Sequence, residues 1–140
     1  MDHEQEFAAL GSSIEPLPAH VAEARVLADG GVTPRDSPGT GSFISSASGL
    51  SVHTRSVPCK TTLLTFSNRA ADKIFVLHGL NDHSNKHAYT ALAHSLSETY
   101  DVHLADMQGH GYSGSHGRQY VPDFREVLSD TAQWVNETMA

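Results

Sequence analysis

The chain has 140 residues, 39% hydrophobic and 18% charged, which suits one globular domain and is too short for two. Nine Lys and Arg against sixteen Asp and Glu give a net charge of -7 without any basic stripe, which speaks against nucleic acid as a partner. Cys59 is the only cysteine, so no intrachain disulfide forms. The start Met1-Asp2-His3-Glu4 is acidic where targeting peptides are basic, and no apolar run reaches the roughly eighteen residues of a membrane span. A cytoplasmic chain with no transmembrane segment is the expectation.

In chain order, residues 1–42 read as a flexible N-terminal extension. A weak helical stretch from Ala19 to Ala28 stops at Gly30-Gly31, and the turn-forming run Thr33 to Ser42 follows. From Phe43 the texture changes to strands. Phe43–Ser46 and Leu50–Val57 flank the turn Ala47-Ser48-Gly49, with Leu50, Val52 and Thr54 alternating with Ser51, His53 and Arg55. A further strand is expected over Lys60–Phe66. The unbroken apolar run Ile74-Phe75-Val76-Leu77 predicts a parallel strand buried on both faces and central in its sheet. Ser84 is placed to cap a helix reaching about Ser97, with Tyr89, Leu92 and Leu96 on one face, and Tyr100–Ala105 is the next strand. Asp123 and Glu126 form a capping-box pattern ahead of a stripe of Phe124, Val127, Leu128, Thr131, Trp134 and Val135. A leading hairpin followed by strand, helix, strand and helix predicts an α/β fold, with parallel βαβα behind an antiparallel start.

His78-Gly79-Leu80-Asn81-Asp82-His83 falls at the carboxyl end of the central strand, where open α/β sheets bind ligands. Gly79 permits a sharp exit that aims backbone N–H groups at a pocket. Two other readings stand beside this one. The hexapeptide nearly matches a metal cluster in which His78, Asp82 and His83 would ligate, although Leu80 takes the place of a histidine. It also suits a plain glycine turn with a hydrogen-bonded histidine. His83 and His87, four apart and without the Glu of H-E-x-x-H, read as solvated.

Gly109-His110-Gly111-Tyr112-Ser113-Gly114 has the spacing of a dinucleotide loop, but no helix follows directly to meet a pyrophosphate. Gly111 to Ser115 narrowly misses G-x-S-x-G, and no such motif occurs anywhere in the chain. Asp106, His110 and Ser113 lie too close in sequence to be the separate elements of a triad. Cys59, away from the strand ends, reads as a buried or edge thiol.

With these residues in place, the chain resembles the N-terminal part of a monoacylglycerol lipase-like α/β hydrolase of the serine aminopeptidase S33 type. Three segments carry the likeness in order: the strand into His78-Gly79-Leu80 with Asp82-His83, the strand into Asp106-Met107-Gln108-Gly109-His110-Gly111-Tyr112-Ser113, and Tyr120-Val121-Pro122-Asp123-Phe124 opening a helix. The resemblance covers residues 43–140. It implies an oxyanion donor at the backbone N–H of Leu80, an oxyanion-loop motif in His78 and Gly79, and a bracing loop of Asp106, Gly109, His110, Gly111 and Ser113. Asn81 stands where the group often has a small residue.

In that family the nucleophilic serine, acid and histidine follow in chain order, and all three would fall beyond Ala140. The resemblance therefore implies a serine hydrolase of small lipid or other carboxylic esters acting through an acyl-enzyme without a cofactor, and a chain of 140 residues that is inactive by itself. The other reading is a non-catalytic product of a truncated or spliced gene that serves as a binding module. In either case the strand at Ile74–Leu77 would keep one unpaired edge, through which copies of the chain are expected to associate.

Overall fold

The computed structural model describes residues 34–61, 70–115, 117 and 119–140. The helical stretch expected over residues 19–28 lies outside these, as do residues 62–66 of the strand expected from Lys60. Residues 60 and 61 are described, and they are helical. The backbone there turns after Pro58 because Lys60 N–H donates to Ser97 O at 2.8 Å rather than to a neighbouring strand.

Strands β1 (Thr40–Ile44) and β2 (Ser51–Val57) form the antiparallel hairpin, with Phe43 opposite Val52. The first strand starts three residues earlier than its apolar texture suggests, so Thr40, Gly41 and Ser42 belong to the sheet. Strand β3 (Lys73–Leu77), helix α1 (His87–Leu96) and strand β4 (Asp101–Ala105) make a βαβ unit, β3 and β4 pairing in parallel with Val76 opposite Leu104. Helix α2 (Phe124–Met139) follows. The sheet order is β1-β2-β4-β3, so β4 joins the antiparallel hairpin to the parallel pair.

Strand β3 is therefore outermost among the described residues rather than central. Its residues are half-buried, and Leu77 at its end is exposed. The lack of alternation in its sequence reflects helices on both sheet faces. On one face Val102 and Leu104 of β4 pack with Ala93, Tyr89 and Leu96 of α1. On the other, Trp134 of α2 meets the Phe75 ring edge-on at a centroid distance of 5.0 Å. Both Val102 and Leu104 are completely buried, a burial that stabilises the fold by about 1.5–3 kcal/mol per side chain.

Two details of the helices depart from their periodicity. In α1 the buried line runs through Tyr89, Ala93 and Leu96, and Leu92 faces solvent. The small side chain of Ala93 lets the helix sit close to β4. Its amino end lacks a side-chain cap because the helix starts two residues later than Ser84 would set it, and the residue at the cap position, Lys86, has no side-chain acceptor. In α2, Asp123 caps as expected by accepting from Arg125 N–H at 2.9 Å, while the Glu126 carboxylate accepts from Gln108 Nε2. Val127, Asp130 and Trp134 are buried, whereas Phe124 and Leu128 are exposed. No helix among the described residues is long and apolar enough to cross a membrane.

Candidate functional site

Both parallel strands end in loops that lean on each other. Asp106, the residue after β4, is fully buried. Its Oδ1 accepts from Ser84 N–H at 2.7 Å and its Oδ2 from Tyr112 N–H at 3.0 Å, so one carboxylate binds the loop after β3 and the loop after β4 together. Gly111 makes this possible. A Cβ there would lie 2.3 Å from Asp106 Oδ2, and the residue has φ 51, which disfavours any side chain. Gly109, with φ 75, is equally close-fitted, since a Cβ would stand 2.7 Å from Tyr120 O. The glycine spacing that imitates a dinucleotide loop thus serves close backbone packing around Asp106 and Tyr120.

Ser113 closes the knot. Its hydroxyl donates to Asp106 O at 2.6 Å and accepts from His53 N–H at 2.8 Å. With both roles occupied and His110 engaged elsewhere, Asp106, His110 and Ser113 do not act as a local triad.

His78 and His110 connect the two strand exits. His78 Nε2 accepts from Met107 N–H at 3.0 Å, and its Nδ1 faces Gly79 O at 2.7 Å. His110 Nε2 accepts from Asn81 N–H at 3.1 Å, and its Nδ1 faces Gln108 O at 2.9 Å. Asn81 adopts φ 64, a left-handed conformation that asparagine tolerates better than most residues.

The phenol of Tyr89, on α1, is hydrogen-bonded to Asp82 and to the backbone of Gly79. Burial pushes this phenol up, and the hydrogen bond to Asp82 adds to the shift. Burial also pushes the Asp82 carboxyl up, but His83 N–H, Lys86 and Tyr89 outweigh it and hold the group below the usual carboxylate range. Between these anchored neighbours Leu80 is 66% exposed, and its N–H takes part in no hydrogen bond among the described residues.

The metal reading finds no geometry. Among the described residues no three His, Cys, Asp or Glu side chains gather around a point. His78 already has a partner on each ring nitrogen, and Asp82 is occupied by Lys86 at 3.1 Å and by His83 N–H. His83, expected to be solvated, is 2% exposed because the loop folds it beneath α1's start, whereas His87 is exposed. Cys59 is buried, with its Sγ 3.9 Å from Glu98 O.

The residues that sequence alone did not single out lie on β2. The alternation of Leu50, Val52 and Thr54 with Ser51, His53 and Arg55 does not show it, but His53 and Arg55 are buried like Val52, because the loops after β3 and β4 cover them. Arg55 Nη1 donates to Ser84 O and to Asn85 Oδ1, each at 3.0 Å. Burial disfavours the charged guanidinium, and the Asp106 carboxylate offsets part of that cost. Burial likewise lowers the His53 imidazole, against the pull of Asp106 and with the help of Arg35 and Arg55. The available signal was an arginine and a histidine in a strand of otherwise small and apolar residues, with an aspartate directly after the strand beside it.

A family profile described as serine aminopeptidase, S33, matches residues 68–140, more than half of the chain. No curated protein matches the sequence. Among solved structures the fold is similar to that of Est1E from Butyrivibrio proteoclasticus, solved with ferulic acid bound, at 19% identity and a TM-score of 0.54. That match covers 69% of this chain and 36% of Est1E, so the chain spans about a third of that protein's length. A variant of the deformylase Nfo from Pseudomonas putida S16 matches at 18% identity and a TM-score of 0.39, over 53% of this chain and 24% of Nfo. The mixed sheet, its helices on both faces and the matched profile together make this chain a member of the serine aminopeptidase S33 family, carrying part of an α/β-hydrolase fold.

Proposed function

We propose that residues 34–140 furnish the oxyanion side of a carboxylic ester hydrolase acting on small lipid esters of the monoacylglycerol kind. The observation that carries this reading is the state of the backbone at the end of β3. Gly79 is tied to Tyr89 and Asn81 N–H to His110, while Leu80 N–H is left without a partner among the described residues, on an exposed turn. A donor held by rigid neighbours and aimed away from them is what stabilises the oxygen charge of a tetrahedral intermediate.

In the complete site, a serine oxygen attacks the ester carbonyl as its proton passes to the histidine, the carbonyl oxygen becomes an oxyanion held by Leu80 N–H and a second donor, and the alcohol leaves with that proton from the histidine. Water then cleaves the acyl-enzyme. The serine, acid and histidine would come from chain following residue 140, in line with the share of Est1E that this chain covers. The lid and acyl pocket that select the ester would come from there too.

Reading the transcript past codon 140 tests the proposal. Continuation into a G-x-S-x-G elbow is expected. In that longer chain Leu80→Pro, which deletes the N–H, should lower kcat by about 10²–10³-fold. A stop codon directly after codon 140, or an unchanged kcat in a folded Leu80→Pro variant, would overturn it. The stop codon would favour the second reading, a non-catalytic interaction module, which the exposed Phe124, Leu128 and Met139 of α2 support.

A further inference from the structure

The imidazoles of His78 and His110 have centroids 5.3 Å apart, and they are bonded in the same sense. His78 leaves β3 and accepts an N–H from the β4 exit, at Met107. His110 lies in the loop after β4 and accepts an N–H from the β3 exit, at Asn81. The arrangement is reciprocal, each strand end supplying an imidazole to the other's backbone.

The partners also decide where the ring protons are. A nitrogen that accepts from a backbone N–H presents its lone pair, and a nitrogen facing a carbonyl oxygen must carry a hydrogen to bond with it. In both rings Nε2 meets an N–H and Nδ1 meets a carbonyl, those of Gly79 and Gln108. Both histidines are therefore neutral Nδ1–H tautomers. Free histidine favours the opposite tautomer, so two such rings side by side are set by their surroundings.

Resting on the ester-hydrolase reading above, we propose that His78 and His110 are positioning residues that clasp the β3 and β4 exits as paired Nδ1–H tautomers and so fix Leu80 N–H as the oxyanion donor. His110 removes Asn81 N–H from competition and holds Asn81 in its left-handed conformation. His78 sets the distance between the two loops through Met107. Neither ring touches the substrate. The substrate class is unchanged by this, but the choice of amide is not left to the loop.

The test needs no ester turnover. In the purified chain labelled with ¹⁵N-histidine, two-bond ¹H–¹⁵N correlation in mildly alkaline buffer should show both rings with a protonated Nδ1 and an accepting Nε2. Substitution provides assignments and a second readout. His110→Phe, which keeps a ring but no acceptor, should raise hydrogen exchange at Asn81 N–H by about tenfold or more. His110→Gln, whose side-chain oxygen reaches the place of Nε2, should restore most of the protection. A role in packing alone would be met by Phe and missed by Gln.

An Nε2–H tautomer on either ring in the wild-type chain overturns the clasp, and that result stands even if a variant fails to fold. Equal Asn81 exchange in the wild type and His110→Phe overturns it as well. Because neither measurement involves catalysis, such a failure would leave the ester-hydrolase reading untouched. Conversely, a stop codon after codon 140 would remove the reaction while leaving the tautomers in place.

Discussion

At Gly111 a methyl group has nowhere to go. It would enter the Asp106 carboxylate, whose two oxygens hold the loops after β3 and β4, and the backbone there is left-handed. Gly111→Ala should destabilise the chain by about 3 kcal/mol or more, combining left-handed strain with disruption of buried charge-assisted hydrogen bonds. Gly49 offers the control. Its φ is 75, but a Cβ would meet nothing within 4 Å, so Gly49→Ala should cost only about 1–2 kcal/mol of left-handed strain. Denaturant unfolding of the two variants measures the difference, and equal losses would contradict the role given to Asp106.

The residues of this region were unequally legible. His78-Gly79-Leu80 and the Gly109 to Ser113 loop stood out because glycine, histidine and a strand end coincide within a few positions. Arg55 did not, and Asp82 did so only as a metal-ligand candidate, since their roles depend on partners brought by the fold: Ser84 and Asn85, about thirty residues from Arg55, and Tyr89 from the following helix. Nor does the sequence reveal that Ser113 spends its hydroxyl on Asp106 O and His53 N–H.

Among the elements, the hairpin is latched to α2. Gln133 Oε1 accepts from Ser46 N–H and its Nε2 donates to Ile44 O, each at 2.9 Å, while Ser45 Oγ donates to Asp130. Asp130 is 6% exposed and its Oδ2 has no partner among the described residues. Burial raises this carboxyl above its ordinary range, Glu126 on the same helix adds to the shift, and the Ser45 hydrogen bond opposes it. Asp106 lines the same slot between α2 and the sheet.

An acid with a raised value in the folded state binds its proton more tightly folded than unfolded. Its contribution is complete below the unfolded value of about 3.9 and is lost as pH rises through the higher folded value. Asp82 and Asp101, held below their ordinary range, run in the opposite direction, so the effect must be read as a difference. The unfolding free energy of Asp130→Asn relative to wild type should improve as pH rises from strongly to mildly acidic. A difference that does not change with pH would contradict the burial of a raised carboxyl here.

Periodicity located both helices but misplaced their contacts. In α1 it favoured Leu92 over Ala93, because hydrophobicity is written in the sequence and closeness of approach is not. In α2 it merged two faces into one stripe. Val127 and Trp134 pack inward, whereas Phe124 and Leu128 stay in solvent. The parallel character of β3 was legible from its unbroken apolar run, whereas its unpaired edge followed from the resemblance and not from that run.

Across the whole molecule, β3 presents an edge with no partner strand among the described residues, Leu77 at its end is 42% exposed, and the exposed Phe124 and Leu128 stand on α2. Exposed edges and apolar patches of this kind promote association. Sedimentation of the purified chain should therefore show mass rising with concentration, and Leu128→Lys should reduce it. A monodisperse monomer with a sharp cooperative melt would contradict this expectation.

The family is shown by the profile over residues 68–140 and the chemistry is proposed from the geometry of two loops, and these meet in the proposal that the chain contributes an oxyanion donor and carries no activated serine among the described residues. The direct measurement is intact-mass analysis of the purified 140-residue chain after incubation with a fluorophosphonate. No adduct is expected, because Ser113 is bonded on both sides and no G-x-S-x-G motif exists in the sequence. An adduct on one serine, abolished by replacing that serine, would contradict it.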